Sequence, residues 1–234
     1  SFRLQSIGVP EKNIVVTGIP VMPEFINRPN RLFCAAKYGL KPHRKTLLIM
    51  GGGAGLGITS DLVKSLLALQ DDLQLIVMTG KNQSLLNELQ NPSLKWTDRL
   101  VAIGFTNTVP ELMACADLVI TKPGGLSTSE CLVMELPMLL INPIPGQEER
   151  NASYLLQESV AQRADDVATL IYRLRLLLAN SEKLSQMQRN TTLIKKPLAA
   201  TTLLHHIKNY LTGRSEEHTS ELQSHLNLVC RLLL

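Results

Sequence analysis

The amino-acid sequence predicts an α/β fold, a parallel sheet with helices on both faces. Two observations carry this expectation. Short apolar runs without polar alternation recur along the chain, the pattern of strands buried on both faces. Each run is followed by a glycine- or proline-bearing turn and then by an amphipathic stretch of helical length, which suits parallel strands joined by helical crossovers.

In chain order the predicted strands are Ile14–Gly18, Thr46–Met50, Leu73–Thr79, Leu100–Phe105, Leu118–Thr121 and Met138–Asn142. Helical segments are expected at Thr59–Leu69, Ser84–Gln90, Val109–Ala116, Ser127–Glu135 and Glu148–Glu158. A helical tail follows over Asp165–Ala179, Glu182–Asn190 and Leu198–Tyr210. Pro20, Pro23 and Pro29 punctuate the segment before the first complete repeat, which reads as a linker or hinge.

Composition narrows the function classes. With 234 residues, 44% of them hydrophobic and 19% charged, the chain can bury a core and is no disordered tail, collagen-like fibre or small disulfide scaffold. The formal charge of +4 comes from 24 basic and 20 acidic residues, and no Lys/Arg run interleaves with aromatics, so nucleic acid is not an expected partner. Cys34, Cys115, Cys131 and Cys230 form no CxxC pair, which argues against zinc and for a reducing compartment. There is no apolar run of membrane-spanning length, and the opening SFRLQSIGVP lacks both a signal-peptide layout and an initiator Met. The chain is expected to be a piece of a longer protein. RSEEHTSELQSH, Arg214–His225, resembles the translation of a sequencing-adapter oligonucleotide, and residues 213–234 are set aside as a non-native tail.

Three loops carry chemistry. GGGAGLG, Gly51–Gly57, follows the strand TLLIM, and glycines crowded at a strand-to-helix turn let backbone N–H groups approach a phosphate. It matches neither the G-x-G-x-x-G spacing nor the P-loop, and the next strand ends at Thr79–Gly80 without the acidic residue of a dinucleotide site. KPGGLSTSE, Lys122–Glu130, follows the strand LVIT. Ser127 and Glu130 have capping-box spacing, so Glu130 has a purely structural reading too; the turn would nonetheless leave amides from Gly124 to Ser127 free at a strand's carboxyl end. NPIPGQEERN, Asn142–Asn151, places Gln147 and Glu148 beside a glycine turn, an amide and a carboxylate suited to sugar hydroxyls. Together these loops describe a nucleotide-sugar pocket. His205 and His206 in the tail read as solvated surface.

At these residues the chain resembles glycosyltransferase family 28, and within it the monogalactosyldiacylglycerol synthases and processive diacylglycerol glucosyltransferases. The text that carries the resemblance is VTGIPVMPEF (Val16–Phe25), LLIMGGGAGLG (Leu47–Gly57) and the stretch from Val101 to Leu156. The resemblance implies the Rossmann-like C-terminal half of a two-domain GT-B enzyme. Residues 1–22 would then close a preceding acceptor-binding domain and form the hinge, and residues 23–212 would bind the donor. It further implies that Gly52 and Gly53 lie near the diphosphate and that Gly104, Phe105 and Thr106 flank the uracil. Gly125, Leu126 and Ser127 would present amides to the phosphates, Glu130 would hold the ribose, and Gln147 and Glu148 the donor sugar, with Asn151 nearby. No cofactor or metal is implied beyond a UDP-hexose donor. The acceptor would be a lipid such as diacylglycerol, reached through the other domain, which would also carry the catalytic base. Peripheral attachment to the cytosolic face of a bacterial membrane, or to a plastid membrane, follows from the same likeness. Two other readings stand beside it: a non-catalytic UDP- or nucleotide-sugar-binding module, and a transferase or epimerase acting on UDP-N-acetylglucosamine. Gln157–Arg163 lacks the glycine the family often places there.

Overall fold

The computed structural model describes residues 2–51, 58–91, 93 and 98–213. Helix α1 (Phe2–Ser6), a single 3-10 turn (Glu11–Asn13), α2 (Pro23–Ile26) and α3 (Arg31–Lys37) precede β1 (Thr46–Met50). Then follow α4 (Ser60–Leu67), β2 (Gln74–Gly80), α5 (Gln83–Leu89), β3 (Leu100–Gly104), α6 (Val109–Cys115), β4 (Leu118–Thr121), α7 (Gly125–Val133) and β5 (Met138–Ile141). The chain closes with α8 (Gln147–Gln157), β6 (Ala161–Ala164), α9 (Val167–Ala179), α10 (Ser181–Ile194) and α11 (Ala199–Gly213).

The strands form one parallel sheet of order β3-β2-β1-β4-β5-β6. Its strands read as unbroken apolar runs because both faces are covered. In β1, Leu48 and Met50 enter a core layer with α3, α6, α7 and α8, whereas Leu47 and Ile49 enter the opposite layer with α4, α5, α9 and α10. β5 alternates in the same way, Met138 and Leu140 facing one layer and Leu139 and Ile141 the other. Each such leucine contributes about 1.5–3 kcal/mol by leaving water.

One expectation is corrected and one unassigned stretch turns out to be a strand. Ile14–Gly18 is not a strand: β-branched residues extend its backbone, but no sheet edge lies beside it, and Val15 and Val16 remain 48% and 60% exposed. Conversely, β6 has the unpromising text AQRA and forms because β5 offers it a full register from Met138↔Ala161 to Ile141↔Ala164. The proline-rich stretch also holds two short helices. Pro23 starts α2, and Asn30 caps α3 by accepting the N–H groups of Leu32 (2.9 Å) and Phe33 (3.1 Å). Gly213 closes α11, and residues 214–234 lie outside the described residues.

The turn without its glycine forms nevertheless. Ser159 stands after the end of α8 with φ 56°, in the left-handed region where an L side chain is strained, and its N–H bonds Leu156 O at 3.1 Å. Ser159→Gly is expected to stabilise the fold by about 0.5–1 kcal/mol, read as a higher urea midpoint at unchanged slope.

Candidate functional site

β1 and β4 lie side by side, Met50 opposite Thr121, and the chain leaves them in opposite directions. After β1 it passes to α4 on one face; after β4 it passes to α7 on the other. The carboxyl ends of two such strands, with their helices on opposite faces, are the place where open α/β sheets bind ligands. Gly52 and Gly53 lie outside the described residues.

The β4–α7 connection is short. Gly124 donates its amide to Lys122 O at 2.9 Å and takes an extended conformation (φ −70°, ψ 143°), so that α7 begins at Gly125. The expected row of free amides therefore starts one residue later than the sequence suggests. Gly125, Leu126 and Ser127 have no acceptor for their N–H groups among the described residues; Thr128 is the first to bond within the helix, to Gly124 O at 3.0 Å. The early start also removes the capping box. Ser127 lies inside the first turn and Glu130 in the second, and no side chain caps the helix.

Glu130 is left without a hydrogen bond or ion pair among the described residues, and burial pushes its pKa up to about 7. A partly buried carboxyl group with a raised pKa and no side-chain partner is a candidate for a functional role.

Helix α8 closes the other side. Gly146 enters it at φ 107°, and Gln147 stands at its first position. Asn151, 1% exposed, donates from Nδ2 to Pro123 O at 3.0 Å and so fastens α8 to the turn before α7. Its Oδ1 is buried with no donor. Gly125 sits at the meeting point. A Cβ built there would lie 3.0 Å from Ile19 Cδ1, 3.7 Å from Gln147 Nε2 and 4.0 Å from Asn151 Nδ2. Glu148 turns elsewhere: its Oε2 accepts the N–H of Ile144 at 2.8 Å and holds the loop that precedes its own helix.

At the far edge, Gly104 ends β3 opposite Gly80, Phe105 is 74% exposed, and Thr106 Oγ1 lies 2.8 Å from Thr108 Oγ1. The structure thus gathers Gly125, Leu126, Ser127, Gln147 and Asn151 at one helix start, ties Glu148 into a loop and leaves Phe105 bare. His205 and His206 are exposed on α11. Ile19, folded over Gly125, is a neighbour of the site that residue chemistry did not flag; an aliphatic side chain in a linker carries no signal of its own.

A sheet of this order, with free amides at its switch point, defines the Rossmann-like domain found in GT-B proteins. The chain belongs to the glycosyltransferase family 28 C-terminal domain family, whose model matches residues 46–203. It is 35% identical over 192 residues to a processive diacylglycerol beta-glucosyltransferase of Bacillus cereus, covering 82% of this chain and 49% of that protein. The chain thus spans about half the length of the curated relatives it matches. Among solved structures it is similar to Staphylococcus aureus MnaA, determined with UDP (TM-score 0.69, 18% identity, 90% of this chain and 58% of that one). It is also similar to Acinetobacter baumannii MurG (TM-score 0.61, 17% identity, 79% of this chain and 55% of that one). At these identities the structural likeness shows the fold.

The raised pKa of Glu130 has a measurable consequence. The folded protein holds this proton to a higher pH than the unfolded chain, whose glutamate titrates near 4.3. Stability contributed by the group is therefore highest below that value, falls as pH rises through about 7, and is level beyond. Urea midpoints measured from pH 4 to 8 should show this decline in the parent protein and a flatter profile in Glu130→Gln.

Proposed function

We propose that this chain is the donor-binding half of an inverting glycosyltransferase that moves a hexose from UDP to a membrane lipid such as diacylglycerol. The observation that carries the reading is the convergence at Gly125: three unengaged amides at a helix start, with Gln147 and Asn151, whose Oδ1 is orphaned, packed beside the same glycine. Three N–H groups and the positive end of α7 suit a diphosphate and oppose the charge that grows on it as it departs. The Glu130 carboxylate accepts from the ribose hydroxyls, while Gln147 and Asn151 bond the sugar. The uracil lies by Gly104–Thr106. Glu148 acts on the sugar indirectly, by holding the loop at Ile144.

In this reaction the acceptor hydroxyl attacks the anomeric carbon, and the bond from that carbon to the diphosphate oxygen breaks with inversion. The hydroxyl proton passes to a base outside this chain. The developing charge is met by backbone amides, so no metal or cofactor is called for. The lipid half of the reading is supported by the family and by the name of the Bacillus cereus relative. The site of action is the cytosolic face of a bacterial membrane, or a plastid membrane; among the described residues no helix is long and apolar enough to cross a bilayer.

Titration calorimetry of the folded chain with UDP is expected to give heat; silence from a demonstrably folded sample refutes the reading. A side chain at Gly125 would occupy the cradle, so Gly125→Val should weaken UDP binding more than about tenfold with the fold retained. Because the ribose contact needs the carboxylate, UDP affinity should rise by up to about tenfold between pH 6 and 8, and Glu130→Gln should lose that part of the rise.

A further inference from the structure

The segment Thr108–Val109–Pro110–Glu111 has the spacing of a capping box, and Thr108 occupies the cap of α6. Neither polar side chain caps the helix. The Thr108 hydroxyl lies 2.9 Å from the Tyr38 hydroxyl and 2.8 Å from Thr106 Oγ1, which in turn accepts the Thr108 N–H at 3.1 Å. The Glu111 Oε2 atom lies 2.8 Å from the Tyr38 hydroxyl and 2.6 Å from Lys37 Nζ. One assignment of protons satisfies the whole set. Thr106 donates to Thr108, Thr108 to Tyr38, and Tyr38 to Glu111, whose carboxylate also accepts a hydrogen bond from Lys37.

The charges fit that direction. Hydrogen bonds from Lys37 and Tyr38 hold Glu111 below the usual carboxylate range, and burial pushes the Tyr38 hydroxyl up, so the acceptor stays ionised and the donor stays protonated. The relay crosses from the end of α3 to the loop that follows β3, elements packed against each other through α6. Two residues with the best local reason to cap their own helix serve a distant contact instead. Local rules are broken in this way where a site needs a fixed shape.

We infer that Tyr38, Thr108 and Glu111 are positioning residues for the nucleobase: their relay fixes the turn at 105–108, and with it the exposed Phe105, in the attitude the base of the donor requires. This rests on the donor reading above. An aromatic ring 74% exposed at a strand end offers a face on which a base can stack, provided the turn that bears it does not wander. Tyr38 belongs to the segment before β1, so residues ahead of the first strand shape a pocket formed at the third.

The experiment compares two ligands on the intact chain by calorimetry: UDP, which uses the base, and inorganic pyrophosphate, which has none. Tyr38→Phe and Thr108→Val are each expected to weaken UDP binding by about fivefold to tenfold and to leave pyrophosphate binding unchanged. Thr108→Ser, which keeps the hydroxyl, should restore most of what Thr108→Val loses. Glu111→Gln, with its shape preserved, should reproduce the Tyr38→Phe loss. Equal weakening of both ligands means the relay merely supports the fold and overturns the inference, as does unchanged UDP affinity in Tyr38→Phe, Thr108→Val and Glu111→Gln. If the parent chain binds neither ligand, the donor reading falls and the inference falls with it.

Discussion

Everything at the site depends on the chain leaving two adjacent strands toward opposite faces. At the end of β1 it turns to α4 and at the end of β4 to α7, and the gap between those departures cannot be filled by either helix. Backbone amides at a helix start need an acceptor, and the fold supplies none to Gly125, Leu126 and Ser127. Asn151 Oδ1, beside Gly125, is buried without a donor, and the Glu130 carboxyl, one turn further along α7, has no side-chain partner among the described residues. Folded proteins pair their buried polar groups almost without exception, and the buried, unpaired Oδ1 of Asn151 beside the open helix start stands out against that rule.

The parts that are paired explain why the unpaired ones stay in place. Asn151 reaches across to Pro123 O, so the two helices bordering the gap share one bond. Glu148 secures the loop before α8, and Arg163 on β6 holds Glu149 at 2.8 Å, which keeps the first turn of that helix beside the sheet edge. These contacts surround the amides without consuming them. The result is a cradle whose rim is rigid and whose floor is unsatisfied.

Much of this was legible in the sequence. Strands flanked by helices on both sides announce themselves as unbroken apolar runs, and β1, β2, β4 and β5 were readable on that ground. Composition misled where pairing decides. Ile14–Gly18 has β-forming residues and no strand paired with it, whereas β6 has poor ones and a complete partner. The motif at Lys122–Glu130 told where the site lies but not its register: one bond, from Gly124 N–H to Lys122 O, starts α7 early enough to release Glu130 from capping. At Thr108 and Glu111 a true capping signature is diverted to Tyr38, and no local pattern foretells a partner about 70 residues away. The relatives' name pointed to lipid chemistry; the amides themselves speak only of an anion.

Gly18 offers one more consequence. Its φ of 81° suits glycine alone, and the space a Cβ would take is already filled by Lys196, 2.6 Å away, in the turn between α10 and α11. The next residue, Ile19, rests on Gly125. The leading segment is thus threaded between the trailing helices and the start of α7, touching both within two residues. A side chain at Gly18 would push Lys196 aside and shift the residue next to it, the one that packs on Gly125, so this bare α-carbon sets how closely the leading segment lies against both.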